Sequence, residues 1–301
     1  MILAMDIGNS SISCGIFKYP VCMPVGTENC SAECLCRFKI AARNISVDEY
    51  ILLFCQFLRM YRVRPAESFV SCMPGFSDLY AEPENADPEN VLDACVIASV
   101  VPELTETISR VARKLTGFQP LLVGQGIRTG FGIKIRNPEQ LGADIAANAA
   151  GAFLFTEPPF VILDVGTATT ITYVNCNKEL AGTIIIPGLT VSMAALTDSA
   201  ALLSNVSLER PQELLGKNTS ESIRSGVVGG HILMIDGFLR NIREQYADEN
   251  GERKLGLIAT GGLAEAILPF CRNKFQYVAD LTLLGEVSLF LKNYPGKKSG
   301  F

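Results

Sequence analysis

At 301 residues, with 48% hydrophobic and 19% charged side chains, the chain has enough apolar material for a globular core and enough length for two lobes. Its formal net charge is −5, and Lys and Arg are scattered apart from the short Lys297–Lys298 pair, which argues against neutralisation of a phosphate backbone and so against nucleic acid as a direct partner. No apolar run reaches membrane-spanning length, and Asp6 interrupts the opening MILAMDIGNS before an export segment can form, so a cytoplasmic protein with no membrane partner is expected.

In chain order, the first element is an apolar run ending at Asp6, followed by Gly8 and small polar residues and then a second alternating run: a strand, a tight glycine turn and a returning strand. A cysteine-rich stretch comes next. Ten cysteines occur in all, eight of them before residue 96, and Cys30, Cys34 and Cys36 are close enough to suggest a metal clip. With His231 as the single histidine and no second Cys pair at zinc-finger spacing, they read instead as free thiols in a reducing compartment.

The segment VDEYILLFCQFLRMYRV has apolar residues at helical spacing. The stretch from Pro74 to Pro88 holds three prolines and reads as a loop. DACVIASVVPEL is a buried strand ended by Pro102, and the helix through TETISRVARKLTG stops at Gly117. LGADIAANAAGAFLF is a helix, and Pro158–Pro159 marks a junction, dividing the chain into lobes 1–157 and 158–301. The second lobe carries the strand GTIIIPG, a helix from Leu189, one long helix through SESIRSGVVGGHILMIDGFLRNIREQY, and the strand and turn LGLIATGGLAEAI. Strands and helices alternate throughout, which predicts an α/β fold.

The strongest internal signal is a repeat. Residues 2–13 read ILAMDIGNSSIS and residues 161–172 read VILDVGTATTIT, each an apolar run, Asp-x-Gly and a returning run. Separation by half the chain predicts two similarly built lobes. Glycine lets the main chain approach a phosphate without a side chain in the way. A carboxylate beside it can orient Mg²⁺ or its waters, since magnesium takes oxygen ligands and keeps much of its hydration.

The Asp6 and Asp164 turns, followed by a third glycine step at Ala259–Thr260–Gly261–Gly262, resemble the phosphate and adenosine turns of the actin and hexokinase superfamily. That resemblance implies two ribonuclease H-like (actin-like ATPase) lobes with a cleft between them. More narrowly, SVVPEL at 99–104, VGQGIRTGFGIKIRNPEQLGAD at 123–144, LDVGTATTIT, GTIIIPGL at 182–189, GKNTSESIRSGVVGG at 216–230, ATGGLAEAI and DLTLLGEVSLFLKN at 280–293 resemble the type III pantothenate kinases, in the same order along the chain.

The resemblance implies ATP-dependent phosphorylation of pantothenate, the first step of coenzyme A biosynthesis, in a homodimer using Mg²⁺ and a monovalent cation, K⁺ or NH₄⁺. By position it makes Asp6, Gly8, Asn9, Ser10, Ser11 and Ser13 the first phosphate loop, with Asp6 near magnesium. Thr167, Gly261 and Gly262 are further nucleotide contacts, and Asp164 is the monovalent-cation acid. Asp144 is the general base, a role that also fits a helix-capping aspartate. Gly142, Ala143, Asp144, Ile145, Ile135 and Thr219 line the substrate side.

Four departures from the family pattern fall on that side. Ile145 stands where an arginine would meet the pantothenate carboxylate, Ile135 where many members have tyrosine, Thr183 at a glycine position, and Ser199–Leu203 where the pattern has Thr-Ala-x-Leu-Pro. The alternatives are therefore a nucleotide-binding regulatory protein of the Bvg accessory factor type, or a kinase of a different small hydroxy compound.

Overall fold

A computed structural model describes residues 1–18, 34–72, 90–198, 206–247 and 253–294. The expected Pro74–Pro88 loop, Cys30, the Ser199–Leu203 departure and Lys297–Lys298 lie outside these residues.

The chain divides into two compact units, Met1–Gly130 with Asn137–Phe155 and Leu281–Phe301, and Phe131–Arg136 with Thr156–Asp280. In the first, β1 (Ile2–Ile7) pairs antiparallel with β2 (Ser11–Phe17), which pairs antiparallel with β3 (Cys34–Ala41). On its other side β1 runs parallel to β4 (Ala94–Ser99), which is parallel to β5 (Leu121–Leu122), giving the order β3-β2-β1-β4-β5.

The second unit opens with β6 (Gly132–Ile133), then β7 (Phe160–Val165), β8 (Ala168–Val174), β9 (Glu179–Pro187), β10 (Gly256–Thr260) and β11 (Gln276–Tyr277). Its sheet order is β11-β10-β7-β8-β9-β6. Strands β7, β8 and β9 are antiparallel, β7, β10 and β11 are parallel, and β6 is an added edge beside β9. Apart from that edge, the two sheets share one topology. The repeat extends to burial: β1 and β7 each have four buried residues, a half-buried Asp and a buried apolar residue, in the same order.

Strand alternation gives the first sheet two apolar faces. Leu3, Met5 and Ile7 join one core with Tyr50, Phe54 and Leu58 of helix Val47–Met60 and with Ile108 and Val111 of helix Pro102–Thr116. The first of these helices starts at a capping box in which Ser46 and Glu49 bond each other's backbone, and the second ends on Gly117 at φ 73°. The opposite face carries the small residues Ala4 and Gly15, and Leu283 of the terminal helix Leu281–Asn293 sits against Gly15.

The expected division at 157/158 lies two residues from the break at Phe155, but the terminal helix corrects the assignment of everything after residue 280. It belongs to the first unit because two glycines let it lie backbone to backbone on helix Ala143–Ala152. A Cβ on Gly285 would run into the Ala147 carbonyl, and one on Gly151 into the Leu281 carbonyl. The short segment 131–136 crosses the other way, because β6 pairs with β9.

The predicted long helix at 220–246 is likewise three pieces: Thr219–Arg224, a wider π turn at Ser225–Gly229, and Gly230–Gln245. Cys34 and Cys36 lie on β3, with the Cys34 thiol donating to the Cys36 carbonyl at 3.3 Å, and among the described residues no group of three or more His, Cys, Asp or Glu is placed to hold a metal ion.

Candidate functional site

In the first unit, Asp6 is the half-buried penultimate residue of β1, paired in register with Ser13 of β2 and Ala98 of β4. The turn between β1 and β2 closes through the Gly8 amide donating to the Ser11 carbonyl at 3.0 Å. Asn9 and Ser10 at its tip are exposed, while Gly8, Ser11 and Ser13 are half-buried. An acid at a strand end beside an open glycine turn supplies oxygen ligands and a nearby main chain, which suits a hydrated magnesium and a phosphate chain.

Gly142, Ala143, Asp144 and Ile145 belong to the same unit, at the start of helix Ala143–Ala152. The capping expectation for Asp144 is corrected here: Gly142 occupies the cap position, with no side-chain cap bond, and Asp144 lies inside the first turn. Its Oδ1 accepts the Ile145 amide at 2.8 Å. Burial raises the Asp144 pKa, and that hydrogen bond together with its own backbone amide only partly offsets the effect.

The helix is fixed from behind. Its alanine-rich, almost wholly buried sequence packs on the terminal helix, and Thr282 donates to Asn148 Oδ1 at 2.8 Å. A carboxylate on a rigid helix start with a raised proton affinity has the properties of a general base. Ile145, in the arginine position, is buried at 7% exposure and belongs to the apolar packing.

In the second unit, Asp164 is the corresponding half-buried residue of β7, in register with Thr170 and Thr260. The turn that follows is one residue tighter, with the Gly166 amide donating to the Ala168 carbonyl at 3.1 Å. The Thr167 carbonyl accepts the Gly188 amide at 3.0 Å, and the Thr167 side chain is left exposed. A Cβ on Gly188 would strike the Gly166 and Thr167 carbonyls, so this backbone approach requires glycine.

Gly261 has φ +95°, and a Cβ there would lie 2.5 Å from the Val165 amide nitrogen and 2.6 Å from Asp164 Oδ1. The unit thus brings together Asp164, Gly166, Thr167, Gly261 and the exposed Gly262 at neighbouring turns. Asp164, with only oxygen donors, suits a hard monovalent cation. Ile135 is half-buried beside β6, and Thr219 is an exposed residue opening a helix capped by Asn218. The predicted substrate residues are therefore shared between the units, with Gly142–Ile145 in the first and Ile135 and Thr219 in the second. The Thr183 departure is matched by Thr172 across the strand pair, their hydroxyls 3.1 Å apart.

Two buried polar residues, Glu286 and His231, carry no role in the family pattern read from the sequence. Glu286, in the terminal helix, is 0% exposed, and neither carboxyl oxygen makes a hydrogen bond of good geometry. Burial and the nearby Asp6 charge raise its pKa, against weaker help from the Met5 and Ala98 backbone. An acid inside the otherwise apolar run LTLLGEVSLFL is the signal that marks it. In the second unit, His231 Nε2 lies 3.0 Å from the Thr169 hydroxyl, two residues after Thr167, and burial lowers its pKa.

Comparison with known proteins places the chain in a family. The family model described as type III pantothenate kinase matches residues 2–241. The chain is 33% identical over 294 residues to a type III pantothenate kinase of Shouchella clausii, covering 97% of this chain and 100% of that one. It is 39% identical over 207 residues to one of Acholeplasma laidlawii, covering 69% and 80%. Among solved structures, a Baf family transcriptional activator of Campylobacter jejuni shares the fold, with TM-score 0.54, 17% identity and coverage of 98% and 99%.

Proposed function

The chain belongs to the type III pantothenate kinase family, and we infer that it transfers the γ-phosphoryl group of ATP to the primary hydroxyl of pantothenate. Phosphoryl transfer needs little covalent assistance; it needs alignment, charge neutralisation and a base for the attacking hydroxyl. Asp144 is the base: it accepts the hydroxyl proton as that oxygen attacks the γ-phosphorus and the bond to the β–γ bridging oxygen breaks, leaving ADP. The observation that carries this role is the placement of Asp144 at a rigid helix start, with burial raising its proton affinity.

The Gly8 turn and the Gly166–Thr167 turn offer main chain to the phosphates, and Gly261 and Gly262 offer it on the nucleoside side. Asp6 would hold magnesium through water and Asp164 a monovalent cation, K⁺ or NH₄⁺; when bound, these ions supply neutralisation of the phosphate charge. Thr219 and Ile135 contribute to the acceptor side in this reading, which also takes the enzyme as a cytoplasmic homodimer. No helix among the described residues is long and apolar enough to cross a membrane.

The test is ADP release with ATP, Mg²⁺, K⁺ and pantothenate, with the product identified by mass spectrometry. Asp144→Asn should lower kcat by a factor of about 10²–10⁴ while ATP binding is retained. Intact ATP binding with no phosphopantothenate at millimolar pantothenate would overturn the acceptor assignment and leave a regulatory nucleotide-binding protein.

A further inference from the structure

One concavity of the second unit plays no part in the kinase reading. It encloses about 460 Å³ along one face of helix Gly230–Gln245, where Leu233, Asp236, Gly237, Arg240 and Arg243 recur at helical spacing, and the turn carrying Arg272 and Asn273 closes it. Three guanidinium groups converge there against a single carboxylate, on a chain whose net charge is −5.

That carboxylate is already occupied. Asp236 accepts the Arg272 backbone amide at 3.1 and 3.2 Å and the Asn273 side-chain amide at 2.8 Å. Holding the Asn273 nitrogen this way turns its oxygen toward Arg243, whose Nη1 donates to it at 2.8 Å. Asp236 therefore orders the basic cluster without forming an ion pair with any of its guanidiniums, and none of the three has an acidic partner among the described residues. A cation near a helix C-terminus is ordinary, and that accounts for Arg243 alone. It does not account for Arg240 one turn earlier, or for Arg272 arriving from a different segment.

Gly237 is the second, independent observation. Glycine inside a helix destabilises it relative to alanine. Gly151 and Gly285 allow a close approach of another backbone, whereas a Cβ on Gly237 would meet nothing within 4 Å, as at Gly230 of the same helix, and of these two only Gly237 lines the concavity. Packing does not require it. What the missing side chain does is leave the floor of the concavity open between Asp236 and Arg240.

We propose that this concavity binds a small polyanion carrying two adjacent anionic groups, a diphosphate or a di- or tricarboxylate, gripped by the forks of Arg240 and Arg272 with Arg243 held ready by Asn273. Planar guanidinium forks match both phosphate and carboxylate oxygens, so the chemistry is shared and the source is for experiment to decide.

Isothermal titration calorimetry of the full chain at low salt, with inorganic pyrophosphate and separately with citrate, tests it. One site is expected for at least one probe, weakening by about tenfold or more in Arg240→Ala and in Arg272→Ala. Gly237→Leu should abolish that binding while leaving thermal stability equal or higher. Asp164→Asn separates this site from the nucleotide site and should leave it intact. Failure of both probes to bind at millimolar concentration would overturn the proposal. So would binding that survives the arginine and Gly237 changes, or that vanishes with Asp164→Asn alone. None of these outcomes bears on whether the protein phosphorylates pantothenate.

Discussion

Replacing Glu286 with glutamine, and separately with leucine, resolves two costs of enclosing one carboxyl in the first unit. The residue is 0% exposed and its oxygens make no hydrogen bond of good geometry, with only weak help from the Met5 and Ala98 backbone. The titratable groups around it are Asp6, whose charge raises its pKa further, and the thiols of Cys14 and Cys95, which burial keeps neutral. A carboxyl with a raised folded pKa contributes fully to stability only below its unfolded value, about 4.3. Above that pH the unfolded chain loses the proton while the folded protein keeps it, so stability falls by about 1.4 kcal/mol per pH unit until the folded pKa is reached. Glu286→Gln keeps the shape and removes the titration. Its stability relative to the parent should therefore rise between pH 5 and pH 7, by up to about 2.7 kcal/mol. Glu286→Leu also removes the unsatisfied polar atoms, worth about 1–3 kcal/mol, and should exceed the glutamine variant at every pH. Denaturant unfolding from pH 5 to pH 8, with amide exchange of β1 reporting on the first unit alone, reads both effects. A difference between parent and glutamine variant that does not change with pH would refute the raised pKa, and a leucine variant weaker than glutamine would show that the oxygens do have partners.

The remaining predictions concern the proposed catalytic and backbone features. Because the Asp144 pKa is raised and the base must be ionised, kcat should fall as pH drops through a value above the ordinary aspartate range; a pH–rate profile with its acid limb near 3.9 contradicts this. Ile145→Arg should lower the KM for pantothenate about tenfold or more and, since position 145 is buried, also lower Tm; an unchanged KM removes the carboxylate-binding role. Gly285→Ala should destabilise the first unit by at least about 1–3 kcal/mol in calorimetry, because its methyl meets the Ala147 carbonyl. Gly261→Ala should raise the KM for ATP and cost about 1–3 kcal/mol of stability, whereas Gly262→Ala, whose methyl meets nothing within 4 Å, should be tolerated by the fold.

What the sequence revealed and what it hid divide along a physical line. The Asp6 and Asp164 hairpins were legible because a strand, its turn and its return are local: alternation, Asp-x-Gly and the repeat are written within about a dozen residues, and the two sheets carry them at equivalent positions. Gly117 likewise announced its own helix end. The terminal helix was not legible. Its place in the first unit depends on Gly285 meeting Ala147 and Gly151 meeting Leu281, contacts between residues 138 and 130 positions apart that composition cannot pair. Asp144 shows the same limit at the level of one residue. Its position followed from the motif, but the helix that carries it is held by that distant helix arriving behind it, with Thr282 tied to Asn148, and burial raises its proton affinity. The base and the element that positions it therefore come from the middle and the end of the chain. Loosening the helix contact at Gly285 should thus shift the acid limb of kcat toward the ordinary aspartate range as well as lower stability, a coupling that a purely structural role for the glycine would not produce.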